Sequence, residues 1–161
     1  MKRVLVIGCP GSGKSTFARK LQQKTKLPLY YLDMLWHKSD KTNVTREEFD
    51  ESLAEILNRE EWIIDGNYSR TMDARLQKCD TVFLFDLPTE VCISGVDARI
   101  GTKREDMPWV EQEFDPEFKQ FILDFKTERL PRIYELLNAN PDKEIHIFKS
   151  RVSADEYIAN A

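Results

Sequence analysis

The chain has 161 residues and a net charge of −4, with 24 Lys and Arg against 28 Asp and Glu. That length fits one domain, 1–161, whose core buries roughly two-thirds of the unfolded surface, and the acidic balance argues against a constitutive nucleic-acid binder with a basic face. Three cysteines, Cys9, Cys79 and Cys92, lie far apart without C-x-x-C spacing, so neither a zinc site nor a disulfide framework is suggested, and a reduced, cytoplasmic compartment fits best.

Met1-Lys2-Arg3 and the apolar run after it resemble the opening of a secretion signal, but the run stops at Gly8 and is too short. No stretch approaches transmembrane length, so no membrane partner is expected. Val4 to Ile7 reads as a buried strand feeding Gly8-Cys9-Pro10-Gly11-Ser12-Gly13-Lys14-Ser15, which meets the pattern G-x-x-x-x-G-K-[ST] at every defined position. Thr16 to Lys24 reads as the helix leaving it, with Phe17 and Leu21 on one face, so strand, loop and helix come in the order a phosphate loop needs. Glycines let the loop's N–H groups point inward, where the helix N-terminus adds partial positive charge, and together they solvate a polyphosphate. Gly8 to Thr16 is the expected nucleotide site. In it Lys14 reaches the β and γ phosphates and Ser15 offers its hydroxyl to Mg²⁺.

Leu29 to Leu32 is the next expected strand. Asp33, which follows it, suits a base or hydrogen-bond partner for an acceptor hydroxyl, or a cap of the next segment. Trp36 fits either a substrate wall or the core, and His37 reads as a surface residue without a metal-ligand companion. Thr45 to Arg59 carries Phe49, Leu53, Ile56 and Leu57 at helical spacing, and Thr45-x-x-Glu48 forms a capping box at its start.

Trp62 to Ile64 and Thr81 to Phe85 read as strands, each terminated by an aspartate, Asp65 and Asp86. A strand-end acid is what holds Mg²⁺ or its water near a γ-phosphate. Asp65 is favoured, since Gly66 allows a ligand close to the backbone, whereas Asp86 precedes Leu87-Pro88 and suits a turn or helix entry. Asn67, Tyr68, Arg70 and Arg75 are candidate acceptor contacts. Arg75, on a short helix near Thr71 to Gln77, grips an acceptor phosphate or forms a salt bridge.

A helix pattern runs from Thr89 to Ile100, and then Gly101 to Asp115 interrupts the alternation with charged residues and weak periodicity, marking a candidate mobile lid. Asp115-Pro116 starts another helix, with Phe118, Phe121, Ile122 and Phe125 as its core side. Pro131 should kink it near Leu130. Lys126, Arg129 and Arg132 cluster there, as a solvated face or as a source of one or two arginines that close onto the transferring phosphate, with Arg99 a further phosphate contact. Ile145 to Phe148 is the last expected strand. Strands alternating with helices imply an α/β fold with about five parallel strands, helices on both faces, and ligands at the carboxyl ends.

The segments GCPGSGKST from Gly8, LPLYYLD ending at Asp33, EEWIIDGNY ending at Tyr68 and the FDLP around Asp86 carry a resemblance that covers nearly the whole chain. They resemble a bacterial family labelled DNA topology modulation proteins, itself related to adenylate kinases. That resemblance implies a P-loop NTPase of the nucleotide-kinase-like type, strand order 2-3-1-4-5, ATP as phosphoryl donor and Asp65 serving the magnesium shell. The chain departs from adenylate kinases where Ser69, followed by Arg70, replaces the arginine that grips a nucleotide monophosphate. Gly95 stands where related proteins carry an arginine packed on adenine, Arg99 matches the next arginine, and the lid is shorter.

The function these features favour is Mg²⁺-dependent transfer of the γ-phosphoryl of ATP to a small acceptor, a nucleotide or another metabolite, with no direct nucleic-acid contact. A regulatory ATPase switch linked to DNA topology is the competing reading. A GTPase is weakest, because Asp65-Gly66-Asn67-Tyr68 is not D-x-x-G and Thr102-Lys103-Arg104-Glu105 misses [NT]-K-x-D.

Overall fold

The computed structural model describes residues 1–161. Val4 to Ile7, apolar and fully buried, form the middle of β1 (Arg3–Gly8), the central strand. It pairs in parallel with β3 (Trp62–Asp65) on one side and β4 (Thr81–Phe85) on the other, while β2 (Leu29–Tyr31) adds to β3 and β5 (Glu144–Phe148) to β4. The order is β2-β3-β1-β4-β5, as the family resemblance implies. Unbroken apolar runs are what strands covered on both faces require. The register sets Val6 beside Asp65 and Gly8 beside Phe85, so the phosphate loop, Asp65 and Asp86 all emerge at one end of the sheet.

Helix α1 (Lys14–Thr25) follows the loop. Its Phe17 packs among Phe83, Phe85 and Phe148 of the sheet and reaches Tyr157 of α8 (Arg151–Asn160). The sequence pattern did not reveal α8, because only Ala154 of it is buried and no apolar stripe marks it. Leu32, expected to end β2, instead begins the short α2 (Leu32–Trp36). Its buried side chain fills the space beside Gly66, where an added Cβ would sit 3.0 Å from it. Gly66 therefore admits Leu32 rather than a ligand.

Helix α3 (Arg46–Leu57) opens with the expected capping box, in which Thr45 Oγ1 accepts from the Glu48 amide at 3.1 Å and Glu48 accepts from the Thr45 amide at 3.4 Å. Then come α4 (Met72–Lys78) and α5 (Thr89–Arg99). Residues 101–115 form no helix or strand. Asp115 caps α6 (Pro116–Asp124), which passes through a π-helical stretch, Phe125–Arg129, before α7 (Leu130–Asn138) resumes regular pairing. Pro131 lacks an N–H, so the ladder shifts ahead of it, and the kink expected there takes this form. No helix is long and apolar enough to cross a membrane.

Candidate active site

Gly13 caps α1 with φ of 100° and offers no side chain, so the first N–H groups of the helix stay open to an anion. The loop is braced from three sides. An added Cβ on Gly11 would lie 2.1 Å from the Cys92 carbonyl, and one on Gly95 would lie 2.1 Å from the Gly11 carbonyl. Helix α5 thus rests directly on the loop, and the arginine expected at position 95 from the adenylate-kinase relation has no room.

Arg151, at the start of α8, donates from Nη2 to the Gly11 carbonyl at 2.8 Å and from Nε to the Ser12 carbonyl at 3.4 Å. Nothing local in the sequence signals this residue. From the β3 side, Asn67 accepts from the Gly8 amide at 2.9 Å and donates to the Gly8 carbonyl at 2.6 Å. Asn67 was expected at the acceptor, but both ends of its amide are committed to Gly8, and it fixes the entry of the loop.

The loop opens into a cavity of about 550 Å³ whose lining includes Lys14, Ser15, Arg99, Lys103, Arg104 and Arg151. At its floor Ser15 Oγ donates to Asp65 Oδ2 at 2.6 Å. Asp65 is buried, and burial raises its pKa above the ordinary carboxylate value against the opposing pull of Lys14 and the Ser15 hydrogen bond. Its other oxygen, Oδ1, is buried without a hydrogen-bond partner. Hard oxygen donors, a buried charge and an orphaned lone-pair atom fit a divalent cation such as Mg²⁺. Arg99 stands at the wall, its Nε buried and unpartnered, its guanidinium 5.9 Å over the Phe118 ring. Burial and then Arg104 lower its pKa.

Asp86 belongs elsewhere. It accepts from Tyr134 Oη at 2.6 Å and from Lys149 Nζ at 2.5 Å, tying the end of β4 to α7 and to the segment after β5. It is neither the turn nor the helix-entry residue its sequence context suggests.

Asp33, expected near an acceptor, lies in α2 and accepts from Tyr68 Oη at 2.6 Å. The Tyr68 ring stacks on Phe49 at 5.3 Å, and Trp36 meets Phe49 edge-on at 5.8 Å. Burial, then the Asp33 charge, pushes the Tyr68 phenol well above its usual value. His37 Nε2 is 4.0 Å from Asp33, and Trp109 of the 101–115 segment lies edge-on to His37 at 4.9 Å. The segment therefore touches His37, beside Asp33, as well as the phosphate loop.

Three arginines stand away from the roles expected of them. Arg75 is fully buried, and its guanidinium donates to Thr71 Oγ1 at 3.1 Å and to the carbonyls of Gly66 at 2.9 Å, Tyr68 at 3.2 Å and Asn67. All three guanidinium nitrogens donate into the β3–α4 connection, so Arg75 shapes that loop and does not grip an acceptor phosphate. Burial lowers its pKa to about 9. Arg70 pairs with Asp50 at 2.7 Å on the surface. Arg132 is exposed on α7 and pairs with Glu135 at 3.2 Å, outside the cavity.

A phosphate loop between β1 and α1, its serine hydrogen-bonded to the acid ending β3, in a parallel sheet of order β2-β3-β1-β4-β5, defines a P-loop protein with the kinase-like fold. The sequence model of the family described as chromatin associated protein KTI12 matches residues 1–82, and the chain belongs to that family. This label differs from the one the sequence motifs resemble.

Among solved structures the chain is similar to the shikimate kinase from Bacteroides thetaiotaomicron, at 17% identity over 99% of this chain and 95% of that one, with a TM-score of 0.64. It is also similar to the shikimate kinase from Acinetobacter baumannii in complex with shikimate, at 13% identity over 99% and 90%, with a TM-score of 0.66. A gluconokinase from Sinorhizobium meliloti 1021 gives 15% identity over 98% and 87%, with a TM-score of 0.59. At such identities the likeness is one of fold. No curated protein sequence matches the chain.

Proposed function

We propose that the protein is an Mg²⁺-dependent phosphotransferase that moves the γ-phosphoryl group of ATP to a small acceptor. The observation that carries this reading is the 2.6 Å hydrogen bond from Ser15 to Asp65 at the floor of a cation-lined cavity. Transfer of a phosphoryl group needs little covalent chemistry from the protein and much positioning and charge.

The N–H groups of Gly11 to Thr16 cradle the polyphosphate, Lys14 meets the β and γ phosphates, and Ser15 with Asp65 would hold Mg²⁺. A cation held there would supply positive charge against the charge that develops on the transferring group. Arg99, with an unpartnered Nε at the cavity wall, meets charge that spreads over the transferring group. Asp33, buttressed by Tyr68, receives the proton of an acceptor hydroxyl or orients it. Arg132 can act on phosphate only if its pair with Glu135 opens and α7 moves, and we assign the role to Arg99 first.

No direct nucleic-acid contact is proposed, in keeping with the net charge of −4. The family match over residues 1–82 favours one second reading, an ATP-dependent switch whose conformation a protein partner reads. ATP consumption measured with and without a panel of nucleotides, sugars and other hydroxyl compounds separates the two. Acceptor-dependent ADP formation with a phosphorylated product supports the transferase, and acceptor-independent hydrolysis supports the switch.

A further inference from the structure

Asp106 lies in the irregular 101–115 segment, yet it is only 5% exposed. Its Oδ2 is 3.4 Å from Ser15 Oγ, the same hydroxyl that sits 2.6 Å from Asp65 Oδ2. A hydroxyl has one proton to give. At 2.6 Å that proton belongs to Asp65, so Asp106 faces a lone pair, and two buried carboxylates converge on one oxygen. Arg104 reaches Asp106 at 3.4 Å but commits its shorter contact, 2.8 Å, to Glu111.

A second observation is independent of that convergence. Asp65, itself only 5% exposed, keeps Oδ1 without any hydrogen-bond partner. A buried carboxylate oxygen left without donor or cation is costly. Two carboxylates and a hydroxyl form a hard-oxygen set of the kind divalent cations take. The segment is built to deliver its share, since the Gly101 amide donates to the Glu111 carbonyl at 2.6 Å, closing a loop, while Trp109 rests on His37.

We propose that Asp106 is a third protein contributor to the divalent-cation site, so that the cation held by Ser15 and Asp65 also fastens residues 101–115 over the nucleotide. The inference rests on the nucleotide-site reading above and adds a lid-borne ligand to it. It ties cation binding to the hold of that segment on the phosphate loop.

The test uses Mn²⁺ as probe, its free fraction read by electron paramagnetic resonance, on the full chain with a non-hydrolysable ATP analogue. Asp106→Asn should weaken Mn²⁺ binding by about tenfold or more, should not weaken metal-free binding of the analogue, and should keep a cooperative thermal transition. Asp106→Glu, which keeps the charge, should recover part of the loss. Hydrogen exchange should show residues 101–115 gaining protection when Mn²⁺ joins the analogue in the wild type, and not in Asp106→Asn.

Equal Mn²⁺ affinity in wild type and Asp106→Asn overturns the proposal and leaves the nucleotide reading intact. Tighter metal-free binding by Asp106→Asn, with Mn²⁺ affinity unchanged, overturns it in favour of a carboxylate that stands in for phosphate and keeps the site shut. Unchanged protection of 101–115 on adding Mn²⁺ to the wild type overturns it as well. Failure of the wild type to bind the analogue overturns both readings.

Discussion

Ser15 Oγ donates to Asp65 Oδ2 at 2.6 Å and so joins the phosphate loop to the end of β3, 50 residues further along the chain. Parallel pairing of β1 with β3 makes this possible, because their register sets Asp65, the last residue of β3, beside Val6, two residues before β1 ends at Gly8 and the phosphate loop begins. The fold thereby places a hydroxyl from one element and a carboxylate from another where neither could be set by local structure.

Lys14 lines the cavity rather than the core, so Lys14→Ala should leave thermal unfolding unchanged. Phosphoryl transfer should fall by about a hundredfold or more, as charge in the transition state loses its partner. Steady-state kinetics beside a melting curve check both halves. Near-normal turnover would remove Lys14 from the site.

Asp65 and Asp86 should respond to pH in opposite senses. Burial raises the Asp65 pKa, so its contribution to stability is present below the ordinary carboxylate value and is lost as pH rises through the raised one. At neutral pH the ionised group burdens the ligand-free protein. Asp65→Asn should therefore raise the melting temperature at pH 7 by a few degrees, and the gain should shrink toward acid pH. For Asp86, burial pushes upward, but hydrogen bonds from Lys149 and Tyr134 prevail and hold the pKa low. Its contribution is present above the ordinary value and lost as pH falls through the lowered one. Asp86→Asn should cost about 1 kcal/mol at pH 7, since Lys149 is largely exposed. Calorimetry from pH 3 to 8 reads both signs.

Arg75 is a second discriminating position. Arg75→Leu leaves the Gly66, Asn67 and Tyr68 carbonyls without their donor, and should cost about 2–4 kcal/mol in urea unfolding. Arg75→Lys should recover little, because an ammonium cannot reproduce the planar fork. A variant that folds with wild-type stability but shows a raised KM for the acceptor would return Arg75 to the substrate.

Arg151 braces the loop through carbonyls, so Arg151→Ala should weaken ATP binding by about three- to tenfold with a smaller effect on the catalytic rate. Isothermal titration measures it. A loss confined to the rate, with ATP affinity kept, would show that the guanidinium acts on the transferring group instead.

The phosphate loop was fully legible in the sequence because its chemistry is local. Eight consecutive residues, a buried strand before them and a helix after them specify a conformation that distant residues only brace. Asp65 was legible for a related reason, as an acid closing an apolar strand. Asn67 and Arg151 were read wrongly or missed because their partners, Gly8 and the Gly11 and Ser12 carbonyls, lie 59 to 140 residues away. Nothing in an arginine on a short helix distinguishes a buried scaffold like Arg75 from a surface ligand. Asp106 was one charge among several in an aperiodic stretch, and only the folding of that stretch onto Ser15 singles it out. Helix α8 escaped because a helix with one buried alanine leaves no period to read.

On the proposed function, Ser15 and Asp65 together hold the cation that activates ATP. This is tested most directly by titrating Mg²⁺ against ADP formation at saturating ATP, with wild type, Asp65→Asn and Asp86→Asn measured well below their melting temperatures. Asp65→Asn should raise the Mg²⁺ required by about tenfold or more and depress turnover even at saturating metal, whereas Asp86→Asn should follow the wild-type curve. A wild-type Mg²⁺ requirement in Asp65→Asn, with the shift appearing in Asp86→Asn instead, would contradict it.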